Sequence, residues 1–86
     1  MERGEIKTMA LKDEIRARRK ALRMTQYDLA YALIVSPSTV YKWETGRSKP
    51  NFRKVVAMAK LFDVNERELL KLLNPKEENE DTKNVQ

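Results

Sequence analysis

Two short helical patterns lie almost end to end in residues 25–46, TQYDLAYALIVSPSTVYKWETG, and this arrangement constrains the fold more than any other feature of the chain. Thr25 is a favourable N-cap residue for the first pattern, which covers residues 26–33. The apolar side chains of this pattern recur with a helical period and share one face: Leu29, Ala30 and Leu33. A short amphipathic helix is therefore predicted here.

The second pattern begins at Ser36-Pro37, a pair that at first sight ends a helix. Serine is a good cap, however, and proline fits the first helical position because the N–H that it lacks would be unpaired there. We therefore predict a helix over residues 37–45 that stops at Gly46. Two helices joined by so short a turn cross steeply, which leaves the outer face of the second one free.

Helical periodicity predicts three further helices, and the β-branched clusters typical of strands are missing. The first helix covers about residues 10–23 and has one apolar stripe: Leu11, Ile15 and Leu22. Asn51 caps a fourth helix with a longer apolar face: Phe52, Val55, Val56, Ala59 and Phe62. Asn65 and Glu68 resemble a capping box for a fifth helix through Leu73. We therefore expect an all-α domain of five helices.

Composition predicts one folded domain with two flanking segments. An 86-residue chain with 41% apolar composition can bury one modest core. We assign residues 11–74 to that domain and residues 1–10 to a flexible N-terminal arm. Residues 75–86 are charged and nearly devoid of apolar side chains, so this C-terminal tail is expected to be disordered.

Several classes of function are disfavoured by what the chain lacks. It contains no cysteine and no histidine, which removes thiolate sites, the commonest general base and the commonest metal ligand. Its two glycines cannot build a glycine-rich phosphate loop. We therefore expect no enzyme activity, no metal and no cofactor. No apolar run is long enough to span a membrane and no signal peptide is present, so a cytoplasmic protein is expected.

The positive charge is concentrated in the part of the chain that is expected to fold. Residues 1–75 carry 16 lysines and arginines against 9 acidic residues, a net charge of +7, whereas residues 76–86 carry −2. A basic domain suits a polyanionic partner, although basic residues also serve solubility alone.

The outer face of residues 37–45 is polar and has no acidic residue. Val40 and Trp43 point inward, and the outward positions are Pro37, Ser38, Tyr41, Lys42 and Thr45. A helix that projects in this way fits the major groove of DNA, with its N-terminal residues at base edges. The pattern alone also fits an ordinary helical hairpin in a small bundle.

Two charged residues fall on apolar stripes. Arg19 lies between Ile15 and Leu22 on the first helix, and Glu44 lies beside Trp43 on the third. Either each side chain reaches water along the helix surface, or the two pair with each other, because an unpaired buried charge costs far more than a paired one. The pattern alone leaves both possibilities open.

Short motifs occur through the central region at fixed spacings: Thr25-Gln26, Leu29-Ala30, Val35-Ser36, Val40, Trp43-Glu44, Gly46 and Pro50. Together they resemble the phage-repressor and Cro-like helix-turn-helix family, also called the Xre family, over residues 11–73. The resemblance implies a compact five-helix DNA-binding domain, with residues 26–33 as the positioning helix and residues 37–45 as the recognition helix. It also implies that Arg19 pairs with Glu44.

The resemblance implies DNA contacts from three parts of this domain. Gln26, at the start of the second helix, matches a position that binds a DNA phosphate. Lys42 is a candidate for guanine O6 or N7, and the other matching positions on the recognition helix are Pro37, Ser38, Tyr41 and Thr45. In the following loop, Arg47 and Lys49 match positions that grip the DNA backbone. The implied partner is double-stranded DNA.

Three residues depart from the family pattern. Ile34 and Asp63 stand where glycine is usual, and a positive φ costs a β-branched residue about 1–2 kcal/mol but an aspartate less. We therefore expect the turn at Ile34 to differ locally from the family pattern. Pro37 replaces a long polar base-reading residue, so we expect fewer direct hydrogen bonds to bases.

These observations predict a sequence-specific transcriptional regulator, a repressor of phage, plasmid or mobile-element type. The alternative is a protein-interaction module such as an antitoxin, but the basic outer surface of residues 38–49 favours DNA. Because four leucines crowd the fifth helix, Leu70 is expected to point away from the core, near the interface of a homodimer on a pseudo-palindromic site. The chain has no separate ligand domain, so no small-molecule ligand is expected.

Overall fold

Five α-helices form the part of the chain that the computed structural model describes, residues 10–74. They are α1 (Leu11–Ala21), α2 (Gln26–Leu33), α3 (Pro37–Thr45), α4 (Phe52–Phe62) and α5 (Glu66–Leu73). The predicted all-α class and five-helix architecture are confirmed. The predicted N-terminal arm, apart from Ala10, and the predicted tail lie outside the described residues. No helix within residues 10–74 is long and apolar enough to cross a membrane.

The starts of four helices are fixed by short polar caps. Each cap side chain accepts a hydrogen bond from a backbone N–H in the turn that follows: Thr25, Ser36, Asn51 and Asn65. At α2 the bond is reciprocated, because the carboxylate of Asp28 accepts from the N–H of Thr25 at 2.8 Å. The predicted capping box at α5 is wrong: Asn65 caps that helix alone, and the box lies at α2.

One apolar core lies between the helices, and it confirms most of the predicted apolar faces. Its most deeply buried large side chains come from all five helices: Ile15, Leu29, Val40, Val55, Met58 and Leu69. Three predicted core residues are wrong, and one of them, Val56, is half-buried and does not belong to the core. Phe52 is 60% exposed because it is the first residue of α4, where the helix has not yet reached the core, and Leu22 is 47% exposed because α1 has ended at Ala21. Met58, one turn after Val55, is the buried residue on α4 that the prediction omitted.

The position of α3 follows from what packs behind it. α3 contacts α2 and α1, whereas α5 contacts α4 and α1. Val40 and Trp43 turn inward and are buried, as predicted, and Pro50 is buried where the loop after α3 returns to the core. The opposite side of α3 is therefore left exposed by the other described helices.

Four of the five helix ends share one hydrogen-bonded turn that contains a positive φ, at the first residue after α2, α3 and α4 and at the second residue after α1. These residues are Arg23 (φ 60°), Ile34 (φ 58°), Gly46 (φ 80°) and Asp63 (φ 59°). In each turn the next N–H bonds back to the carbonyl five residues earlier, at 2.9–3.1 Å. The positive φ that aspartate tolerates is present at Asp63, and Ile34 also takes a positive φ, so the local change in the turn that was expected at Ile34 is absent. The positive φ at Arg23 was not predicted, because arginine gives no sequence sign of it.

We expect Ile34→Gly to raise the free energy of unfolding by about 0.5–1 kcal/mol, since relief of the strained φ outweighs the added flexibility of the unfolded chain. Little burial is lost, because the side chain of Ile34 is 85% exposed. Urea titration monitored by circular dichroism measures the change. Ile34→Ala is the matched control, because it removes the branched side chain but keeps the Cβ atom that strains the turn. Equal stability of the glycine and alanine variants would contradict the prediction.

Candidate nucleic-acid interface

The predicted base-reading residues lie together on the outward side of α3. We call this set the recognition strip: Pro37, Ser38, Tyr41, Lys42 and Thr45. Four of its members are exposed, and Pro37 is half-buried. They recur three to four residues apart, so they form one band along the helix. The strip contains no acidic residue and one lysine, so a polyanion would meet attraction and no repulsion along it.

Hydroxyl groups at both ends of α3 already bond within the helix. The hydroxyl of Ser36 lies 3.1 Å from that of Ser38 and 2.9 Å from that of Thr39. The hydroxyl of Thr45 donates to the carbonyl of Tyr41 at 3.0 Å. Since a hydroxyl has one hydrogen and a phosphate only accepts, Thr45 cannot bind a phosphate while that bond holds. Its oxygen remains free to accept from a base donor.

The loop after α3 places a second cation beside the recognition strip. The N–H of Arg47 bonds to the carbonyl of Lys42 at 2.9 Å, so the loop folds back on the last turn of the helix. The guanidinium carbon of Arg47 then lies 6.0 Å from the centre of the Tyr41 ring. Lys49 is exposed two residues further along.

Gln26, the predicted phosphate-binding residue of α2, is half-buried against the end of α3. Its side-chain Nε2 donates to Oε1 of Glu44 at 3.0 Å. The sequence gives no sign of this bond, because the two residues are 18 positions apart. One amide hydrogen and the amide oxygen remain available to a ligand. The backbone N–H groups at the same helix start carry the positive end of the α2 dipole.

Arg19 and Glu44 form a buried ion pair between α1 and α3. Nε of Arg19 donates to Oε2 of Glu44 at 2.7 Å, and Nη2 donates to Oε1 at 3.0 Å, so the contact is bidentate. Nη1 donates to the carbonyl of Met24 at 2.8 Å. Both residues are 8% exposed. The structure therefore shows the pairing that the apolar-stripe pattern left open.

The pair and its neighbours shift the titration of Glu44. Burial raises the pKa of this carboxyl group, but hydrogen bonds from Arg19 and Gln26, together with the nearby arginine charges, outweigh burial and lower the pKa below its ordinary value. Hydrogen bonding to Glu44 raises the pKa of Arg19 in turn. Both side chains are therefore charged at neutral pH.

A second buried carboxylate, Glu14, was not predicted. It is 3% exposed on α1, and Nε of Arg18, one turn later, donates to its Oε2. The signal that indicates it is the acid-to-base spacing of four residues, which brings such side chains together on a helix.

Comparison with known families and structures places this geometry among helix-turn-helix proteins. A family model described as "Helix-turn-helix" matches residues 15–69. The HTH-type transcriptional regulator DicA of Escherichia coli (strain K12) is 40% identical over 58 residues, which cover 67% of this chain and 43% of that protein. The HTH-type transcriptional activator BcrR of Enterococcus faecalis is 34% identical over 62 residues, which cover 72% of this chain and 30% of that protein. The chain therefore spans less than half the length of these two relatives.

Two structures of the P22 c2 repressor have the same fold. The crystal structure of that repressor in complex with a synthetic operator superposes with a TM-score of 0.68 at 32% identity, over 76% of this chain and 98% of the other. The solution structure of its DNA-binding domain superposes with a TM-score of 0.67 at 33% identity, over 74% of this chain and 84% of the other.

Proposed function

Since the chain belongs to the helix-turn-helix family, we propose that it binds double-stranded DNA with sequence preference and regulates transcription, as a cytoplasmic repressor that reads the major groove with α3. The observation that carries the proposal is the recognition strip, which is exposed, free of acidic residues and flanked by Arg47 and Lys49. The similarity to a repressor whose crystal structure contains a synthetic operator supports binding of duplex DNA here. The proposed function requires neither catalytic groups nor a cofactor.

In this proposal the residues divide into positioning and reading groups. Gln26 binds a phosphate at the start of α2, where its remaining amide hydrogen and the helix dipole both favour an anion. Arg47 and Lys49 bind phosphates beside α3. Lys42 and Ser38 reach base edges, and Lys42 has the reach and charge for guanine O6 or N7.

Selection of bound sites from a random duplex library tests the proposal directly. A DNA reader enriches one family of related sequences over successive rounds, whereas a protein that does not read bases enriches none. If the protein retains no more of the library than an unrelated control protein does, even at low salt, then DNA binding is refuted altogether.

We expect Lys42→Ala to relax sequence preference and Arg47→Ala to leave it intact. Loss of Lys42 removes a base contact and lowers discrimination at one or two positions by about 1–3 kcal/mol. Loss of Arg47 removes a phosphate contact and weakens binding to every sequence alike. Competition between the selected duplex and single-position mismatches measures the difference. Equal, sequence-independent losses for both variants would show that Lys42 contacts only phosphate.

The proposal includes a homodimer that sets two α3 helices on a pseudo-palindromic site, about 34 Å apart. Within α5, Leu69 and Leu73 are buried, whereas Leu70 and Leu72 are half-buried and pack at the edge of the core. The expectation that Leu70 points away from the core is therefore only partly met, because this side chain also packs against the core. The part of Leu70 that remains exposed is the proposed contact.

We expect the chain to form a weak dimer that DNA strengthens, and Leu70→Lys to weaken that dimer by placing a charge in its interface. Sedimentation velocity with and without the selected duplex measures the stoichiometry. Tyr31→Lys is the matched control, since it adds the same charge on α2 at a side chain that is 88% exposed. A one-to-one complex on an asymmetric site, unchanged by Leu70→Lys, would contradict the dimer.

A further inference from the structure

The side chain of Arg47 follows the surface of α3 back toward the helix. Its guanidinium carbon lies 6.0 Å from the centre of the Tyr41 ring, at the outer limit of cation–π attraction. Tyr41 is 47% exposed and belongs to the recognition strip. Among residues 10–74, no carboxylate forms an ion pair with Arg47. The ring is thus the group that the structure places beside this charge.

The backbone of the turn brings the two residues of this contact close together. The N–H of Arg47 bonds to the carbonyl of Lys42, and the N–H of Gly46 bonds to the carbonyl of Trp43. Gly46 adopts a φ of 80°, which lets the chain reverse at the end of the helix. The main chain of Arg47 is therefore held at a set distance from that of Tyr41, and the remaining freedom lies in the two side chains.

Contact with a ring face restricts that freedom without consuming hydrogen-bond donors. The N–H groups of a guanidinium lie in its own plane, so a guanidinium that turns its face to an aromatic ring directs none of them into the ring. An arginine held in this way keeps its in-plane donors for a bidentate contact with a phosphate. Holding the side chain before binding also removes part of the entropy cost of ordering it on DNA.

We propose that Tyr41 is a positioning residue for Arg47: its ring holds the guanidinium beside α3 so that Arg47 meets the DNA phosphate flanking the groove, and Tyr41 itself contacts neither base nor phosphate. This inference rests on the proposed DNA-binding function. It differs from the roles that the family resemblance implies for Tyr41, in which that residue touches the DNA. The ring and not the hydroxyl carries the effect, so phenylalanine replaces tyrosine.

A double-mutant cycle on DNA affinity tests the proposal. Each of three substitutions is made with Arg47 present and with Arg47→Ala: Tyr41→Phe, Tyr41→Leu and Tyr41→Gln. Fluorescence anisotropy at low salt gives the Kd of each variant for a library-selected duplex and for an unrelated duplex. We expect Tyr41→Leu and Tyr41→Gln to weaken both duplexes by the same factor, about two- to fivefold. Tyr41→Phe retains the parent affinity. In the Arg47→Ala background, all three substitutions have no further effect.

Three results would overturn the inference. If Tyr41→Phe loses as much DNA affinity as Tyr41→Leu does, the contact belongs to the hydroxyl. Loss confined to the selected duplex would assign Tyr41 to a base. If the fold-losses in affinity of a Tyr41 variant and of Arg47→Ala multiply in the double variant, the two residues make independent contacts.

Thermal melts of each variant accompany the titrations, and the exposed position of Tyr41 predicts unchanged stability. Failure of the parent protein to bind either duplex would refute the proposed function itself, which is a separate outcome.

Discussion

Removal of either partner of the Arg19–Glu44 pair is expected to lower the free energy of unfolding by about 3–5 kcal/mol, because the partner that remains is a buried and uncompensated charge. The geometry supports the upper part of that range, since the contact is bidentate and both residues are 8% exposed. The double-mutant cycle consists of Arg19→Met, Glu44→Leu and the variant that combines them. Urea titrations measure each free energy.

The double variant is expected to be far more stable than the sum of the single losses predicts, because it strands no charge. The exposed pair of Lys12 and Asp13 provides the control: its atoms lie 3.2 Å apart with both side chains about half exposed, so Asp13→Asn should cost less than about 1 kcal/mol. If the losses of unfolding free energy at Arg19 and Glu44 are additive and each below about 1 kcal/mol, then the pair contributes no more than two independent surface charges.

The pH dependence of stability supplies a second readout of the same pair. Because the folded-state pKa of Glu44 is lowered, its contribution to stability is fully present above the ordinary glutamate range. That contribution is lost as the pH falls through the folded-state value, where the carboxylate takes up a proton. The stability gap between the parent and Glu44→Leu should therefore narrow in acid, and a gap that does not change with pH would contradict the assignment.

Local signals in the sequence predict the helix boundaries of this domain well. Caps act within one turn, so Thr25, Ser36 and Asn51 mark helix starts without reference to the rest of the fold. Burial depends on what packs opposite, and periodicity alone cannot supply that. Phe52 belongs to the apolar stripe of α4 by spacing, yet it lies at the helix start and stays 60% exposed.

The candidate site likewise has features that local sequence signals predict and features that they do not. The spacing of the recognition strip follows from one helix, so the sequence places those residues on one face. The side-chain bonds that organise the site join segments far apart in the sequence: Gln26 to Glu44, and Arg19 to Glu44. No periodic signal connects residues 18 or 25 positions apart, so geometry is needed to show that Gln26 and the ion pair share one carboxylate.

Affinity for the selected duplex is expected to fall about a hundredfold between about 50 and 200 mM salt, because each phosphate neutralised by a lysine or arginine releases condensed counterions. Arg47 and Lys49 of each chain supply about four such contacts in a dimer, and each adds about 0.9 to the slope of log Kd against log salt. Anisotropy titrations at five or so salt concentrations measure that slope.

Two variants then distinguish the charged phosphate contact proposed for Arg47 from the uncharged contact proposed for Gln26. Arg47→Ala should lower the slope by about one unit per chain, whereas Gln26→Ala should weaken binding at every salt concentration and leave the slope unchanged, because an uncharged amide displaces no counterion. Lys71→Ala removes an equal charge from α5, which packs on α4 and α1, and serves as the control. If Lys71→Ala lowers the slope as much as Arg47→Ala does, then binding reflects the overall charge of the domain and not an interface centred on α3.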